Sequence, residues 1–257
     1  MNDLLSLRNI SAGYGGKTIV KDVSLDIPAG EFCAILGLNG SGKTTLIKAI
    51  SGLLPISTGS CFVCDDDCTK LSEYKRARYM SYIPQRHSKL IGVNVEDAVL
   101  MGLNPKLRFF EFPTAQDKEL VDNALRKLDI RELKNEVFSE LSEGQKQLVI
   151  LARVLVQNAA VLLMDEPDAA LDFNNRHSML AKIRTLIKSE KKAGLVALHD
   201  PNLALSYCDR ILLFADGEIV DDINITKVTA QKIRECLETV YKGIAVYEIN
   251  GTYICKK

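Results

Sequence analysis

A glycine-rich segment that ends in a lysine and a threonine is the first candidate for chemistry. Residues 37–44, GLNGSGKT, match the phosphate-binding pattern G-x-x-x-x-G-K-[ST]. Glycines let successive backbone N–H groups turn toward an anion, and the start of a following helix would add more N–H donors. Lys43 would then reach the outer phosphates of a nucleotide, and the Thr44 hydroxyl would bind Mg²⁺. The segment predicts a nucleoside triphosphate site.

The residues on either side of this segment have the patterns of the elements that must hold it. The preceding run, 32–36, is entirely apolar, as in a strand covered on both faces of a sheet. Gly52 follows a helical pattern formed by four apolar residues: Leu46, Ile47, Ile50 and Leu53. The alternative is a glycine-rich turn without a ligand. It does not explain why strand, complete motif and helix occur together.

Polar residues also stand at the ends of three further apolar runs. These are AAVLLMDEP at 159–167 with Asp165 and Glu166, GLVALHD at 194–200 with His199, and SYIPQ at 81–85 with Gln85. Open α/β sheets bind ligands at the carboxyl ends of their strands. There Asp165 would suit Mg²⁺, Glu166 would polarise an attacking water, and His199 would sense the γ-phosphate. The alternatives are an ordinary acidic loop and a structural histidine.

A fourth polar segment, LSEGQ at 141–145, has nothing nearby to act on. It precedes an apolar helical pattern and contains no acid–base pair, metal ligand set or activated nucleophile. Ser142 and Gly144 at the start of a helix would form a phosphate receptor. Its own chain, however, already has a phosphate loop.

Together these segments resemble those of the ATPase subunit of an ATP-binding cassette (ABC) transporter. The resemblance covers nearly the whole chain, and it depends on the order and spacing of seven segments rather than on any one of them. They are Tyr14 in GYGGKTIVKDVSLDI, the loop at 37–44, Gln85, LSEGQ at 141–145, MDEP at 164–167, ALD at 170–172 and His199.

The resemblance implies a role for each position that matches. Tyr14 would stack on the adenine ring. Three residues would surround Mg²⁺, directly or through water: Thr44, Gln85 and Asp165. Glu166 would be the general base and His199 the γ-phosphate contact, with Gln85 beside them. The phosphates would be held by nine consecutive residues: Gly37, Leu38, Asn39, Gly40, Ser41, Gly42, Lys43, Thr44 and Thr45.

The resemblance also explains the segment at 141–145, which we call the signature segment. In such cassettes two copies face head to tail, and each ATP lies between the phosphate loop of one copy and the signature segment of the other. Asp172 would link the two nucleotide sites across this dimer. The residues that would act in trans are Leu141, Ser142, Glu143, Gly144 and Gln145.

Two positions depart from the family pattern. Glu143 stands where the family favours Gly, a position at which other residues are common. Asp168 replaces the usual Thr or Ser after Glu166-Pro167 and adds a negative charge near the predicted base. This second departure predicts a change in the rate of hydrolysis or in its coupling.

Composition excludes several classes of protein. The 257 residues are 47% apolar and contain 33 basic and 33 acidic side chains, so the chain lacks the positive charge of a nucleic-acid binder. No apolar run approaches the roughly 18–20 residues that span a bilayer. The start, MNDLLSLRNI, lacks the pattern of an export signal. We therefore expect a soluble protein of the cytosol. The resemblance implies that permease subunits hold it at the cytoplasmic face of the membrane.

Seven cysteines without an export signal argue against a disulfide framework. Three of them form a cluster, Cys61, Cys64 and Cys68, for which a metal or iron–sulfur site is one interpretation. The other is a strand and turn with incidental thiols. In a strand Cys61 and Cys64 would point to opposite faces, and no fourth ligand is close in sequence, which favours the second interpretation.

These patterns predict an α/β fold. Its P-loop NTPase core would have a mixed, mainly parallel sheet, with an antiparallel β lobe formed from residues 1–30. A helical lobe would be inserted at about 88–157, within an ATPase domain of residues 1–240. One helix there would bury the face formed by Leu120, Ala124, Leu125 and Leu128. KRAR at 75–78 would be a solvated helix face.

The end of the chain resembles one branch of the family more than others. A predicted helix is followed by a hairpin pattern, YEI and YIC around Asn250-Gly251, in a β extension at 241–257. This end, HDPNLAL and RARYMSYIPQ resemble importers of iron–siderophore, haem and cobalamin. The resemblance implies two membrane permease subunits fed by an extracytoplasmic binding protein. The alternatives are an exporter ATPase, an importer of another solute, and a soluble cassette protein outside transport.

Overall fold

The computed structural model describes residues 3–85, 90–107 and 111–256. The strands in chain order are β1 (Asp3–Tyr14), β2 (Lys17–Pro28), β3 (Phe32–Leu36), β4 (Ile56–Val63), β5 (Asp66–Asp67), β6 (Met80–Ile83), β7 (Val161–Asp165), β8 (Ala193–Leu198), β9 (Arg210–Ala215), β10 (Glu218–Asn224), β11 (Ala245–Ile249) and β12 (Thr252–Lys256). The α-helices are α1 (Lys43–Ser51), α2 (Glu73–Arg76), α3 (Val95–Leu100), α4 (Ala115–Lys127), α5 (Glu143–Gln157), α6 (Phe173–Ser189), α7 (Pro201–Tyr207) and α8 (Ala230–Glu238).

A six-stranded sheet forms the centre of the molecule. Its order is β10-β9-β3-β8-β7-β6, and every neighbouring pair is parallel except β9 and β10. Because the crossovers keep the strands parallel, β3, β6, β7 and β8 end at the same edge. That edge is where the phosphate loop and the predicted polar residues follow. The predicted α/β fold with a mainly parallel sheet is confirmed.

Each face of this sheet packs against a separate apolar core. Along β3 the side chains alternate between them: Phe32, Ala34 and Leu36 belong to the core on the helical side, whereas Cys33 and Ile35 belong to the other. A strand that is buried on both faces must be apolar at every position, because neither face meets water. This is why the strand is an uninterrupted apolar run rather than an alternating one.

The second core lies between the central sheet and an antiparallel lobe. The lobe has the order β2-β1-β4-β5, with β1 and β2 joined at Gly15-Gly16. Inward-facing residues of β1 are fully buried at Leu5, Leu7 and Ile10. The prediction of an antiparallel lobe from residues 1–30 is confirmed.

Helices α3 to α5 form the helical lobe, and the described residues between 90 and 157 contain no strand. One predicted detail is wrong. In α4 the buried residues are Val121, Ala124 and Leu125, followed by Leu128, whereas Leu120 is 51% exposed. The spacing of 121, 124, 125 and 128 matches one face of a helix more closely than a face starting at 120, so the apolar face is rotated by one residue.

Two predictions near α1 are also corrected. The helix ends at Ser51 with Gly52 in a left-handed conformation (φ 84°), so Leu53 lies beyond it and is 56% exposed. In KRAR, Arg76 is buried rather than solvated. Its Nη2 donates hydrogen bonds to the carbonyl oxygens of Thr69 (2.9 Å) and Leu71 (3.3 Å). Arg76 is therefore a structural residue that packs against the end of α1.

Gly52→Ala is expected to destabilise the fold by more than its backbone strain alone. A left-handed non-glycine residue costs about 1–2 kcal/mol. At Gly52 a Cβ atom would also lie 2.0 Å from Nη1 of Arg76. Gly30 is the matched control, because it has a similar φ of 79° and no atom within 4 Å of its Cβ position. Urea unfolding should show a larger decrease in the free energy of unfolding for Gly52→Ala than for Gly30→Ala. Equal decreases in the free energy of unfolding would mean that crowding against Arg76 does not add to the destabilisation.

The end of the chain forms the predicted helix and hairpin. β11 and β12 pair around Asn250 and Gly251, both with positive φ, as in a tight hairpin turn. The Asn202 side chain on α7 holds β12 by accepting from Cys255 N (2.7 Å) and donating to Cys255 O (3.2 Å). The hairpin therefore packs against the helix that follows His199. Its treatment as a separate extension from residue 241 stays a prediction.

The three clustered cysteines do not face one another as a set. Cys61 and Cys68 are buried, whereas Cys64 is exposed in the turn between β4 and β5. Burial raises the pKa of Cys61 to about 12 and that of Cys68 to about 11. Within the part of the chain that the structure describes, no three His, Cys, Asp or Glu side chains are grouped to hold a metal ion. None of the described helices is long and apolar enough to cross a membrane.

Candidate nucleotide-binding and hydrolysis site

The phosphate loop connects the carboxyl end of β3 to the start of α1. Two of its glycines are required by the geometry. Gly42 precedes α1 with φ 108°, a conformation that other residues rarely adopt. At Gly37 a Cβ atom would lie 2.2 Å from the carbonyl oxygen of Phe214 on the neighbouring strand β9. The loop thus lies directly against the sheet, and within it the Ser41 N–H donates to the carbonyl oxygen of Leu38 (3.2 Å).

Lys43 closes the loop from within. Its Nζ donates to the carbonyl oxygens of Gly37 (2.8 Å) and Leu38 (3.1 Å), and the side chain is buried. Burial lowers the pKa of Lys43, while the charges of Glu166 and Asp165 act in the opposite direction. The loop therefore holds a cation that faces two carboxyl groups at the edge of the sheet.

Thr44 and Asp165 join the loop to strand β7. The Thr44 hydroxyl donates to Asp165 Oδ1 at 2.9 Å, and Asp165 is buried at the end of the strand. Burial raises the pKa of Asp165, and the hydrogen bond from Thr44 partly offsets this. A hydroxyl and a carboxylate side by side are the hard oxygen donors that Mg²⁺ prefers.

Glu166 lies at the centre of the predicted hydrolytic residues. Its Oε2 accepts a hydrogen bond from Gln85 Nε2 at 2.5 Å, and its Oε1 lies 2.5 Å from His199 Nε2. The backbone of Glu166 has φ 48°, and its N–H donates to the carbonyl of Ala197 on β8. The structure brings together the ends of β6, β7 and β8 on one carboxyl group, as the sequence predicted.

These residues line a cavity of about 440 Å³ beside the loop. The lining consists of Ile19, Asn39, Gly40, Gly42, Lys43, Thr44, Thr45, Gln85, Glu166 and His199. Ile19 on β2 was not predicted, because a single apolar residue in an alternating strand has no sequence signal that sets it apart. Tyr14 is not part of this lining. It lies at the end of β1 and is half-exposed.

The signature segment lies outside this cavity, at the start of helix α5. Ser142 precedes the helix, and its hydroxyl accepts from Gln145 N (3.3 Å), while Gln145 Oε1 accepts from Ser142 N (2.9 Å). Ser142 and Glu143 are exposed. This reciprocal cap gives the helix start a fixed shape that faces outward.

Asp172 begins helix α6. Its Oδ1 accepts a hydrogen bond from the backbone N–H of Asn175 (2.9 Å), and its Oδ2 accepts from Asn175 Nδ2 (2.8 Å). The carboxylate is thus held at both oxygens by one residue in the first turn of the helix.

Asp168 is buried two residues beyond Glu166. Burial raises its pKa, while the nearby charges of Arg176 and His199 lower it. A carboxyl whose pKa is higher in the folded than in the unfolded protein opposes folding once the pH exceeds the unfolded value, roughly 3.9 for Asp.

Asp168→Asn is therefore expected to raise the thermal unfolding midpoint at pH 7.5. Asn has nearly the same size and no charge to bury, so the gain should shrink as the pH falls toward roughly 4. Thermal unfolding of both proteins across this pH range measures the difference. A gain that does not depend on pH, or a loss at pH 7.5, would contradict this explanation.

The sequence matches the family model for ABC transporters over residues 20–169. Among curated proteins, it is 36% identical to a probable iron chelatin transport ATP-binding protein of Helicobacter pylori over 217 residues, covering 84% of this chain and 85% of that protein. It is also 36% identical to a hemin import ATP-binding protein of Shewanella denitrificans, over 84% of this chain and 86% of that one.

Solved structures of ABC transporter cassettes also resemble this chain. A metal-chelate type ABC transporter in an inward-facing conformation superposes with a TM-score of 0.82 at 25% identity, covering 100% of this chain and 96% of that one. A dimeric bacterial ABC transporter cassette superposes with a TM-score of 0.76 at 25% identity, over 86% and 98%. With the phosphate loop, Asp165 and Glu166 gathered at one edge of the sheet, these matches show that the chain belongs to the ABC transporter family as an ATP-hydrolysing cassette.

Proposed function

We propose that this chain is the ATPase subunit of an importer for a metal chelate: an iron–siderophore, haem or a corrinoid such as cobalamin. The proposed ATP hydrolysis is supported above all by Glu166, which follows Asp165. Its carboxyl group accepts a hydrogen bond from Gln85 and pairs with His199. The importer class is supported by the relatives named for transport of iron chelatin and import of hemin. It also agrees with the C-terminal helix and hairpin.

Mg²⁺ would be held with the nucleotide by Thr44, Asp165 and Gln85, directly or through water. The fit depends on their oxygen donors and on the hydrogen bond that already joins Thr44 to Asp165. When bound, the ion supplies positive charge that neutralises the phosphate oxygens.

Hydrolysis would begin with a water held between the terminal phosphate and Glu166. The carboxylate of Glu166 accepts a proton of that water as its oxygen attacks the terminal phosphorus, the bond from that phosphorus to the bridging oxygen breaks, and ADP and inorganic phosphate are the products. His199, 2.5 Å from Glu166 Oε1, fixes the carboxylate and contacts the phosphate. Lys43 and the loop N–H groups hold the phosphates in line.

Gln85 would transmit the state of this site to the helical lobe. It lies two residues beyond the end of β6, and the next described helix along the chain is α3 of that lobe. Its hydrogen bond to Glu166 Oε2 would be lost when that oxygen takes the proton of the water, while His199 holds Oε1 in place. A change at one carboxyl group is thereby linked to a rotation of the lobe.

The active unit would be a head-to-tail dimer of two copies. The signature segment is exposed and lies outside its own chain's cavity, so it is free to complete the site of a second copy. Tyr14 would stack on adenine at the margin of the same site, and Asp172 would contact the partner near its nucleotide.

The permease would dock against a cleft between the helical lobe and the central sheet. This cleft, of about 390 Å³, is lined by residues from both parts, including Leu53, Tyr82, Gly102, Asn104 and Arg153. Leu53 gives it an exposed apolar side chain. Burial lowers the pKa of Arg153, and among the described residues its guanidinium has no ion pair or hydrogen bond. An acidic side chain of a permease segment would complement it.

Arg153→Glu should therefore uncouple transport while leaving ATP hydrolysis by the isolated protein within about twofold. Reversing the charge would repel the docking carboxylate, and truncating one partner of a buried charge pair typically costs about 2–5 kcal/mol of binding. Lys118→Glu is the matched control, because Lys118 is exposed on α4, away from the cleft. Co-purification with the permease and uptake into vesicles measure the effect. Normal uptake with Arg153→Glu would remove this cleft from the docking surface.

A deletion strain tests the proposed substrate class. Its growth should fail when an iron chelate, haem or cobalamin is the limiting nutrient, and return when the gene is restored. The same strain should lose uptake of the chelate that an extracytoplasmic binding protein delivers to the permease. Undiminished uptake of all three, with loss of import or export of another solute, would reject the chelate assignment and leave the ATPase intact.

A further inference from the structure

The start of helix α5 lies beside the start of helix α6 at one glycine, Gly144. A Cβ atom at Gly144 would lie 3.0 Å from Asn175 Nδ2 and 3.2 Å from Asn175 Cγ. Gly144 lies in the first turn of α5, and its φ is outside the left-handed region. Within this chain, glycine is therefore favoured by space rather than by backbone angle. The amide group of Asn175 fills the position that a larger side chain would need.

The Asn175 side chain is exposed, and hydrogen bonds to Asp172 hold its amide beside Gly144. Its Nδ2 donates to Asp172 Oδ2 at 2.8 Å, and its backbone N–H donates to Asp172 Oδ1 at 2.9 Å. Any shift of this amide away from Gly144 would thus strain or break its hydrogen bond to Asp172. Three residues form a continuous connection: Gly144 of the signature segment, Asn175 and Asp172.

We propose that Asn175 is a positioning residue that fixes the signature segment to Asp172 within one chain. Both parts lie at helix starts, on helices of 15 and 17 residues. The inference rests on the proposed dimer, in which both parts face the partner's nucleotide. Joined by Asn175, they approach that nucleotide as one rigid unit, so that closing on ATP orders both together.

Loss of the Asn175 side chain separates these two groups without touching the chain's own phosphate loop. Asn175→Ala keeps the backbone N–H that donates to the capping carboxylate of Asp172 and removes the amide that lies beside Gly144. We expect ATP binding to the isolated chain to change by less than about twofold. Turnover by the dimer should fall on the order of tenfold, because displacements near 1 Å at a composite site reduce rates strongly.

The experiment measures Mg²⁺–ATP-induced dimerisation in a Glu166→Gln background, together with the KM and kcat of the Glu166-containing proteins. Asn174→Ala is the control, because the side chain of this exposed neighbour has no hydrogen bond to another described residue. Gly144→Ala should be less harmful when combined with Asn175→Ala than the two separate losses predict, since the alanine then has room.

A lower kcat and weaker dimerisation for Asn175→Ala, with unchanged ATP binding and a normal Asn174→Ala, would support the inference. Dimerisation and kcat equal to the parent would overturn it. So would a lower unfolding temperature with no change in kcat, because that is the result of a purely structural cap. If the Glu166→Gln parent does not dimerise with ATP, the proposed dimer itself fails, and the inference fails with it.

Discussion

Replacing Glu166 with Gln is expected to abolish most ATP turnover while leaving ATP binding intact. Gln has the same shape and still bonds to its neighbours, but it cannot accept the proton of the attacking water. A positioned base typically contributes roughly 10²–10⁴-fold, so turnover should fall within that range. Because hydrolysis no longer opens the dimer, an ATP-bound dimer should accumulate. Phosphate release and size-exclusion chromatography with ATP measure the two effects.

Glu248→Gln provides the control for this variant. Glu248 is exposed on β11, so the same chemical change there should leave both turnover and dimerisation as they were. Near-normal hydrolysis by Glu166→Gln would remove Glu166 from the role of base, and Asp165 or another group would have to supply it.

Ser142→Arg is expected to abolish dimer-dependent hydrolysis without affecting ATP binding by one chain. The bulky cation replaces the residue that caps α5 and that, in the proposed dimer, would face the partner's phosphate, whereas the phosphate loop is unchanged. Lys43→Ala is also expected to lose hydrolysis, but through its own phosphate loop, because it removes the cation of that loop. Each variant alone should lose turnover by a factor that exceeds roughly 10².

Mixing these two inactive proteins distinguishes action in trans from action in cis. A heterodimer has one site with an intact loop and an intact signature segment, and one site in which both are changed. If each site hydrolyses independently, part of the activity should return on mixing. Loss of ATP binding by the Ser142→Arg chain alone would show that the segment serves its own nucleotide, and the trans assignment would be wrong.

The central sheet was predictable because its physical requirements appear as local patterns. A strand buried on both faces must be apolar throughout, and a phosphate loop must follow such a strand and precede a helix. Residues at the ends of parallel strands then meet at one edge. The contacts of Glu166 with Gln85 and His199 follow from this rule, although the rule gives no distances.

The predictions that failed concern which side chains at the helices and their ends are buried. Leu53 and Leu120 are as apolar as their neighbours Leu54 and Val121, and only the surrounding structure decides which of each pair is covered. Arg76 was predicted to be solvated because it lies among other cations. It is buried because two backbone carbonyls accept its hydrogen bonds, and these come from a turn whose course is not visible locally.

Contacts between segments that are distant in sequence could not be predicted from the sequence patterns either. Ile19 reaches the loop cavity from β2, and Asn175 touches Gly144 from 31 positions away. Neither residue has an unusual type or spacing. Such contacts depend on how two elements pack, which a pattern within one element does not specify.

The backbone of Glu166 has a consequence for how this protein can be improved in the laboratory. With φ at 48°, the residue adopts a conformation that costs a glutamate about 1–2 kcal/mol and that glycine or asparagine adopts more readily. Either replacement would relieve that strain and remove the carboxylate in the same step. If Glu166 is the base, as proposed, a screen for heat resistance alone would enrich more stable chains that have lost ATP turnover, and only a screen that also demands turnover would keep Glu166.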